Sequence, residues 1–484
     1  MTGNALPEID TGLVTRDAIE VLPRALLPYL VTQRWFVDKN QHPETLDVFD
    51  AATIGLPDGL LLLAIVQVTF PDSSTSIYHV PLYLAAQPEV NHRILFEMRS
   101  CGIDWHAYDA VPMVFGNLAL QFMATEKSLP MIHGRVQAKA VRPFSRSERT
   151  EQFEPIGGEQ SNSSLLSDSL MIKAYRRLSD GENPDVEIGR FLATASPSFA
   201  TPPFRGSLSY RAPEVHFTLA MVQSRIASPR DGWSIMLDPL DAGDPILQTI
   251  GSELGTLTAE MHLALATGTN DARFSAEPAS SDEIHEWQLH TRSSASQVMR
   301  ALKHQLPDLD TRTADLANTV IASGARVSSD ADGYSALQGF PLIRVHGDYH
   351  LGQVLRDEQG TWWVVDFEGE PLRPIAERTR KTSPLKDVAG MLRSFAYARG
   401  AAQAGGVDKA SLEEWETRAR ADFIRSYLSS TRARMPGLLP AEDEVLFHAL
   451  EAWELDKALY EVLYEIASRP DWLWLPLTGI AHRV

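Results

Sequence analysis

The chain has 484 residues, of which 44% are hydrophobic and 22% charged, a composition typical of globular proteins with two or three packed lobes. Asp and Glu together number 63 against 44 Lys and Arg, so the formal net charge is −19. An acidic surface repels phosphate backbones and anionic lipids, so we expect neither a nucleic-acid partner nor a membrane partner. Cys101 is the only cysteine, which excludes an internal disulfide framework and multi-cysteine metal sites. The N-terminal residues lack the basic-then-apolar pattern of a signal peptide, so we expect a reducing, cytoplasmic location.

The first part of the chain combines one helical pattern with several strand patterns. Apolar residues of 17–31 recur at helical spacing. The apolar runs 60–70 and 76–84 flank turn-forming residues at 71–74, which is typical of a β-hairpin. We therefore expect residues 1–90 to form an N-terminal β-rich cap domain.

Residues 91–222 are expected to hold an intermediate segment and a mixed lobe that binds a nucleotide. Strands are predicted at 153–156, 170–175 and 214–222, with a polar turn at 157–164. Asn183, Pro184 and Asp185 combine an N-cap, a first-turn proline and a first-turn acid, which predicts a helix reaching about residue 195.

Lys173 and Glu187 are candidates for an ion pair between a strand and the helix that follows it. In kinases, a strand lysine contacts the α- and β-phosphates of ATP and is held by a glutamate on the next helix. Lys173 lies on the predicted strand 170–175 and Glu187 on the helix that follows. We expect both residues to serve ATP binding, although an exposed lysine and an unrelated helix acid would give the same pattern.

The remainder, residues 223–484, is predicted to be a mostly helical lobe. Helices are expected at 246–265, 283–306 and 312–323, the first with a core-facing stripe. One β-interlude at 343–365 interrupts them. The predicted fold is therefore α+β and bilobal, like a protein kinase: an N-terminal β-rich cap domain, a mixed N-lobe and a mostly helical C-lobe.

The β-interlude carries the residues that indicate phosphoryl transfer. Asp348 stands in a loop after a strand, and a predicted hairpin of strands 354–356 and 362–365 returns Asp366 to the same level. In the kinase template, a metal-ligand Asn follows the catalytic Asp by five residues, and a second Asp follows a hairpin. Gln353 stands at that offset here. Phosphoryl transfer needs a proton acceptor and oxygen ligands for Mg²⁺, so Asp348 is the predicted base and Gln353 and Asp366 the predicted metal ligands.

Each of these residues has a structural interpretation when it is considered alone. Asp348 and Asp366 could be turn residues, and His346 a packed core histidine. Their joint order around strand, loop and hairpin has no structural need, and it favours the catalytic interpretation. His346, His350 and Glu368 flank the motif and are candidate contacts of the acceptor.

The polar turn is a weaker candidate for phosphate binding. It matches neither a Walker loop nor a G-x-G-x-x-G pattern. Backbone N–H groups and the hydroxyls of Ser161, Ser163 and Ser164 could still surround phosphate oxygens, and Asn162 within the turn is a further candidate contact. A plain polar turn is the default interpretation.

Five runs of the sequence closely resemble the bacterial maltokinases: EQSNS (159–163), VHGDYHLGQVLR (345–356), DFEGEP (366–371), SPLKDVAGMLRS (383–394) and ELDKALYE (454–461). QRWF (33–36) is similar to the family's N-terminal signature, although residues 37–40 depart from it. The resemblance covers most of the chain and becomes weaker before about residue 150.

The resemblance implies an aminoglycoside-phosphotransferase-like fold and ATP-dependent phosphorylation of maltose at its anomeric hydroxyl. The product, maltose 1-phosphate, would serve α-glucan and glycogen synthesis. It also implies that Mg²⁺ is the metal and that adenine lies against Met221, Val222 and Gln223. We expect a monomer.

The acceptor is expected to bind along a C-terminal helix at 451–466. Aromatic faces can stack on sugar rings while charged groups bond to hydroxyls. The candidates are Asp456, Lys457, Tyr460 and Glu461, with Arg393 as a further one. The apolar residues of this segment make it a core helix in any case, so its tyrosines could instead be packing residues.

Three alternatives to maltose phosphorylation remain at this point. Relatives with the same motif phosphorylate other sugars such as glucosamine, so a glucosamine kinase or another small-sugar kinase is the runner-up. An inactive nucleotide-binding regulator is disfavoured by the intact Asp348, Gln353, Asp366 and Lys173. A protein kinase is disfavoured because 369–383 has no A-P-E-type segment.

Overall fold

The computed structural model describes residues 9–36, 38, 41–157, 162–238, 245–267, 271–370, 373–406 and 408–483. The chain forms two compact units. The first unit comprises Met1–Ala193, Pro202–Ile226 and Pro371–Glu377, and the second comprises Thr194–Thr201, Ala227–Glu370 and Arg378–Val484.

The described residues form the following regular elements. The helices are α1 (Thr11–Leu30), α2 (Gly116–Ala124), α3 (Pro184–Ala195), α4 (Gly232–Leu237), α5 (Pro245–Leu265), α6 (Ser281–Gln305), α7 (Thr311–Ala322), α8 (Gly324–Ser329), α9 (Ile375–Arg378), α10 (Leu385–Ala404), α11 (Lys409–Arg434), α12 (Asp443–Ser468) and α13 (Trp474–Ala481). The strands are β1 (Thr45–Leu56), β2 (Gly59–Thr69), β3 (Thr75–His79), β4 (Leu82–Ala85), β5 (Phe96–Ser100), β6 (Ile103–Asp109), β7 (Ser128–Pro130), β8 (Arg135–Ala140), β9 (Glu154–Pro155), β10 (Asn162–Leu166), β11 (Leu170–Tyr175), β12 (Arg177–Leu178), β13 (Phe204–Arg211), β14 (His216–Ser224), β15 (Arg230–Asp231), β16 (Glu277–Pro278), β17 (Pro341–Leu342), β18 (Val354–Arg356) and β19 (Trp362–Val364).

The first unit contains two antiparallel sheets. Strand order in the first sheet is β12-β3-β2-β4-β6-β5, with β1 paired along β2. Strand order in the second sheet is β7-β8-β13-β14-β11-β10-β9. The first sheet therefore continues past residue 90 to Asp109 and gains β12 later in the chain, whereas the second sheet begins at Ser128.

Strand β2 explains the long apolar run of the N-terminal region. Leu61 and Leu63 belong to the core shared with the second sheet, where they join Leu165 and Ile172. Their neighbours on the strand face the other way, into a core that contains α1. Because both faces of β2 are buried, the strand is apolar throughout rather than alternating.

The first helix confirms the predicted helical segment and begins earlier than expected. Asp10 caps it by accepting hydrogen bonds from the N–H groups of Gly12 and Leu13, at 3.0 and 3.1 Å. One face is buried at Val14, Ala18, Leu22 and Leu26. Asp10 lies outside the apolar stripe and so adds nothing to the periodic pattern. For this reason periodicity predicted a helix that starts at residue 17, six residues after the observed start at Thr11.

The second unit is mostly helical, as predicted. The expected stripe on α5 is buried at Leu247, Ile250, Leu254, Leu257, Met261 and Leu265. Gly251 and Gly255 lie on the same helix, and a Cβ built on them would stand 2.4 and 2.3 Å from backbone oxygens of α11. Only glycine permits this close approach of the two helices. Among the described residues, no helix is both long and apolar enough to span a membrane.

Two small sheets accompany the helices of the second unit. The predicted hairpin is confirmed as β18 and β19, which pair from Val354↔Val364 to Arg356↔Trp362. Strand β15 adds to its outer edge. The hairpin connects the loop of Asp348 to Asp366, so it determines the spacing between them.

A buried carboxylate connects the two sheets of the first unit. Asp50 lies on β1 at a register shift and accepts hydrogen bonds from the N–H groups of Ile132, His133 and Gly134, between 2.8 and 3.1 Å. The Tyr210 hydroxyl donates to the same carboxylate at 2.7 Å. The N–H of Ala51 donates to it as well, at 2.8 Å, so one acidic side chain satisfies five donors.

Asp50→Ala should destabilise the protein by about 3 kcal/mol, because removal of a buried charged acceptor leaves its donors without a partner. Urea denaturation measures the change. Asp47→Ala, at an exposed position on the same strand, is the matched control and should be neutral. Equal stability of the two variants would show that the Asp50 contacts contribute nothing.

Candidate active site

The loop that carries Asp348 follows an isolated bridge between Ile343 and Thr382. Gly347 has a φ of +86°, which glycine adopts without steric cost. Lys457, on α12, donates a hydrogen bond from Nζ to Asp348 Oδ1 at 3.1 Å. The same ammonium lies 3.8 Å from Glu370 Oε1. The second unit therefore brings the predicted base and one predicted acceptor contact together.

Lys457 controls the ionisation of Asp348. Burial raises the pKa of Asp348, but the charge of Lys457 and the neighbouring His350 lower it by more, so the pKa falls to about 2. Burial lowers the pKa of Lys457, and Asp348 and Glu370 raise it by more. The pair is consequently ionised at neutral pH.

The two histidines of the motif hold the loop in place. His346 Nδ1 accepts from the N–H of Asp348 at 3.4 Å, and its Nε2 lies 2.9 Å from the carbonyl oxygen of Val365. These partners assign the neutral tautomer with its proton on Nε2. His350 accepts from the N–H of Gly352 at 3.0 Å, and burial lowers its pKa. Both imidazoles thus serve the geometry of the loop.

The two predicted metal ligands lie side by side. Gln353 Nε2 donates to Asp366 Oδ2 at 3.0 Å. Asp366 has a φ of +67°, a left-handed conformation that is uncommon outside glycine and concentrates at functional sites. The donation orients the Gln353 amide, which leaves its carbonyl oxygen as a ligand. A carboxylate and an amide oxygen fit a hard cation such as Mg²⁺.

Asp387, a residue that the sequence motifs did not single out, holds the loop that carries Asp348. Its buried carboxylate accepts from the N–H groups of His346 and Gly347, at 2.8 and 2.9 Å. His262 Nε2 lies 3.1 Å from the same carboxylate, and its Nδ1 lies 2.9 Å from the Tyr427 hydroxyl. Burial raises the pKa of Asp387, and these partners lower it by more. The only available signal was its position within the run 383–394.

Glu368 stands two residues after Asp366 and is buried. Arg378 Nη1 lies 3.9 Å from its carboxylate and donates to its backbone oxygen at 3.1 Å. These contacts fix the turn after Asp366.

The predicted acceptor residues of α12 differ in their exposure and in their partners. Tyr460 is 38% exposed and lies beside Lys457, whose Nζ is 4.9 Å from its ring centre. Asp456 accepts from the Thr291 hydroxyl at 3.0 Å. Glu461 is buried and accepts from Arg393 Nε and Nη2, at 2.9 and 2.6 Å.

Arg393 and Glu461 therefore bind each other. Two N–H groups of Arg393 converge on one oxygen of Glu461, Oε2, and this buried, charge-assisted contact fixes α12 against α10. Its removal from one side would leave an uncompensated buried charge. The pair supports the helix that presents Lys457 and Tyr460.

In the first unit, Lys173 lies on β11 and is buried. Its Nζ is 3.2 Å from Asp185 Oδ2, at the start of α3. Asn183 caps this helix as predicted, because its Oδ1 accepts from the N–H of Asp185 at 2.9 Å. Glu187 lies one half-turn further along α3 and is also buried. The first turns of α3 therefore carry two carboxylates, those of Asp185 and Glu187, whereas the sequence analysis predicted only Glu187 as a partner of Lys173.

The predicted phosphate and adenine contacts also lie in the first unit. Ser161 falls outside the described residues, while Asn162 and Ser163 begin strand β10. Met221 and Val222 are buried within β14, where they pair with Lys173 and Ile172. Gln223 is partly exposed close to the end of that strand.

Comparison with known proteins identifies the family to which the chain belongs. The model of the phosphotransferase enzyme family matches residues 220–424, and the chain belongs to this family. A second model, the maltokinase N-terminal cap domain, matches residues 29–112. The chain is an ATP-dependent phosphotransferase of kinase-like fold with this cap, which confirms the predicted fold class.

Two curated relatives are named glucosamine kinase. The protein of Streptacidiphilus jiangxiensis is 30% identical over 339 residues, 66% of this chain and 72% of the relative. The protein of Mycolicibacterium smegmatis is 27% identical over 345 residues, 69% and 79% respectively.

Solved structures of glucosamine kinase share the fold. One crystal form superposes with a TM-score of 0.67 at 21% identity, covering 94% of this chain and 96% of the other. A complex of glucosamine kinase with glucosamine, ADP and inorganic phosphate gives a TM-score of 0.66 at the same identity and coverage.

Asp387→Asn should loosen the loop that carries Asp348. The neutral amide has one acceptor oxygen, so it cannot replace a charged carboxylate that binds His346, Gly347 and His262. Hydrogen exchange followed by mass spectrometry should show faster exchange in peptides covering 343–353. Asp443→Asn, whose carboxylate is 64% exposed, is the control and should leave these peptides unchanged. Unaltered exchange in Asp387→Asn would contradict this positioning role.

Proposed function

We propose that the protein transfers the γ-phosphoryl group of ATP to the anomeric hydroxyl of maltose. The product is maltose 1-phosphate, an activated sugar for α-glucan and glycogen synthesis. The observation that carries the proposal is the pair of exposed tyrosines on α12 beside the Lys457–Asp348 ion pair. Tyr460 and Tyr464 are 38% and 43% exposed, and their ring centres lie 6.4 Å apart with planes inclined by 20°.

Two neighbouring, nearly parallel aromatic rings suit an acceptor with two sugar rings. Lys457 and Tyr464 are seven residues apart, which corresponds to about 10 Å along a helix. An acceptor along this face has one end at Asp348 and its second ring at Tyr464. Sugar rings bind aromatic faces by their apolar C–H sides, and their hydroxyls bond to the flanking charged groups.

The charges of the site support maltose rather than glucosamine as the proposed acceptor. A protonated amino sugar needs a carboxylate for its ammonium group. Asp348 and Glu370 already share the ammonium of Lys457, and Glu461 is bound by Arg393. A second cation near Asp348 would meet the like charge of Lys457, which is unfavourable in a partly buried site. This arrangement supports a neutral acceptor, whereas the names of the relatives support glucosamine as the alternative.

Asp348 acts as the base in the proposed reaction. The acceptor oxygen forms a bond to the γ-phosphorus, the bond from that phosphorus to the bridging oxygen of ADP breaks, and the hydroxyl proton passes to Asp348. Lys457 occupies Oδ1, which leaves Oδ2 to accept from the hydroxyl. With a pKa of about 2, Asp348 is a weak base. Its main contribution is to orient the hydroxyl for a loose transition state, in which proton transfer is late.

Gln353 and Asp366 would hold Mg²⁺, which neutralises phosphate charge during transfer. In the first unit, Lys173 is the proposed contact of the α- and β-phosphates, with Asp185 and Glu187 to hold it. Gln223, near the exposed end of β14, is the proposed neighbour of adenine. The acidic chain thereby supplies a local positive charge for ATP.

A panel of maltose, glucose, glucosamine and maltotriose with ATP and Mg²⁺, scored by ADP release, tests the proposal. Maltose should give the highest kcat/KM. Asp348→Asn should lower kcat for maltose by on the order of 10²–10⁴ while ATP affinity is retained. Glu358→Gln, at an exposed position of the nearby hairpin turn, is the control. A preference for glucosamine would favour the alternative, and near-normal turnover of Asp348→Asn would remove Asp348 as the base.

Lys457→Met should change the pH dependence of the reaction. The pKa of Asp348 is depressed by the Lys457 charge, so its loss raises that pKa, and protonation at acidic pH then disables the base. The acid limb of kcat/KM for maltose should move upward by about 1–3 pH units. Lys409→Met, whose side chain is 63% exposed, should retain the original profile. A Lys457→Met profile with the acid limb in its original place would show that the ion pair does not set the pKa.

A further inference from the structure

The carboxylate of Glu454 lies on the buried side of α12, three residues before Lys457. Its side chain is 7% exposed, and each of its two oxygens is bound by a different arginine. Arg420 Nη2, from α11, donates to Oε1 at 2.6 Å. Arg483 Nη2, two residues after the end of α13, donates to Oε2 at 2.5 Å. Charge-assisted hydrogen bonds therefore hold both oxygens of this carboxylate in place.

Each of the two arginines also binds a backbone carbonyl group. Arg420 Nη1 donates to the carbonyl oxygen of Leu392, on α10, at 3.1 Å. Arg483 Nη1 donates to the carbonyl oxygen of Glu451, within α12 itself, at 2.9 Å. A planar guanidinium that makes two such bonds has a fixed orientation. The Glu454 carboxylate is thus connected to α10, to α11 and to the segment that follows α13.

Helix α13 also packs against the second buried ion pair of α12. A Cβ built on Gly479 would stand 2.2 Å from Arg393 Nη1, so a larger residue would displace the guanidinium that binds Glu461. Leu477 of the same helix is buried in one core with residues of α12. The segment from α13 to Arg483 therefore lies against both arginine–glutamate contacts of α12.

Lys457 stands between these two held carboxylates, three residues after Glu454 and four before Glu461. Seven residues of helix span about 10 Å, and a helix with its hydrogen bonds intact moves as one body over so short a distance. The Lys457 side chain is directed to Asp348, with Nζ 3.1 Å from Oδ1. The contacts of Glu454 and Glu461 therefore determine where the Lys457 ammonium lies.

The exposed tyrosines of α12 depend less on Glu454 than Lys457 does. Tyr460 is adjacent to Glu461, and Tyr464 lies beyond it in the direction away from Glu454. Loss of the Arg483 contact would release only the Glu454 end of this span, because Arg393 still binds Glu461. Lys457 is consequently the residue of the proposed acceptor face that would move most.

We propose that Arg483 is a positioning residue for the acceptor site. Through Glu454 it holds the Lys457 ammonium against Asp348, beside the place proposed for the acceptor hydroxyl. The proposal rests on the proposed function only in that the acceptor binds next to these two residues. Arg483 itself touches neither the acceptor nor Asp348 in this arrangement.

The alternative role for the cluster is purely structural. One guanidinium neutralises one carboxylate, and Arg420 already does so from α11. A buried ion pair contributes little net stability, so the second arginine adds control of position more than it adds stability. The kinetics of the acceptor separate the two roles, because a structural role changes the melting temperature alone.

The test compares steady-state kinetics and melting temperatures of full-length variants, with whichever sugar of the panel gives the highest kcat/KM. Arg483→Ala leaves Glu454 paired with Arg420, so this variant should fold. Its kcat/KM for the sugar should fall on the order of tenfold, because a displacement of about 1 Å near the reacting atoms can cost up to about 10²-fold. The KM for ATP should stay unchanged. Arg483→Lys keeps the charge and should restore part of the loss.

A double variant tests whether the effect passes through Lys457. In the Lys457→Met background, Arg483→Ala should change kcat/KM for the sugar by less than about twofold, because both changes act on the same ammonium. Arg432→Ala is the matched control: Arg432 Nη2 donates to Asp443 Oδ1 at 2.7 Å, at the other end of α12. It should leave the sugar kinetics unchanged. Additive losses in the double variant, or a lower melting temperature with unchanged sugar kinetics, would overturn the proposal.

A second measurement does not depend on any sugar. An ammonium paired with carboxylates must lose a proton before its amine can react, so acetylation of Lys457, followed by mass spectrometry, reports on the contact with Asp348. The reaction should be severalfold faster in Arg483→Ala and unchanged in Arg432→Ala. An unchanged rate in Arg483→Ala would contradict the positioning role. Faster acetylation together with no phosphorylation of maltose would support this role and refute the proposed function alone.

Discussion

The carboxylate of Asp387 is the constraint on which the loop that carries Asp348 depends. Backbone N–H groups of a loop can be satisfied by water, but those of His346 and Gly347 point into the protein and need a buried acceptor. Asp387 supplies it from α10, and His262 and Tyr427 continue the network into α5 and α11. The position of Asp348 therefore depends on contacts with α5, α10 and α11 as well as on contacts within its own loop. Contacts of this kind, made by residues that support a functional side chain, determine how accurately that side chain is placed.

Charge balance is the second constraint, because an acidic protein must place its few cations with care. Near Asp348, the Lys457 ammonium serves both Asp348 and Glu370. Arg393 serves Glu461 on the neighbouring turn of α12. Each cation offsets the cost of burying a carboxylate, and each connects α12 to another element. The chain thereby keeps its carboxylates ionised in a partly buried site.

Local patterns in the sequence predicted the fold class and most elements. The stripe from Leu247 to Leu265 and the hairpin around residues 357–361 depend on near neighbours, so periodicity and turn chemistry reveal them. The segment from 91 to 150 lacks such patterns, and no elements were predicted there. The structure forms β5 to β8 and α2 in this segment, largely through pairing with strands elsewhere. Tertiary context, rather than local propensity, determines these elements.

The candidate site shows the same division. Gln353 and Asp366 stand at the two ends of one hairpin, so their contact was predictable. The contact between Asp348 and Lys457 joins residues 109 positions apart, and no local pattern encodes it. Asp387 stood inside a recognised run, yet its role depends on a loop 40 residues earlier. The left-handed backbone of Asp366 is likewise invisible in the sequence, since its residue type does not require it.

The proposed function assigns transfer chemistry and acceptor choice to separate parts of the second unit. The loop, the hairpin and Asp387 form a device that could serve any hydroxyl placed beside Asp348. The proposed acceptor face lies on α12, where the side chains proposed to bind an acceptor alternate with those that hold the helix. Arg393 and Glu461 belong to the holding set, so changes at Tyr460 or Tyr464 leave the helix anchored. Relatives can therefore share the motif around Asp348 and differ in their sugars. For this reason the name of a relative at 30% identity carries less information about the acceptor than the charges and rings along α12.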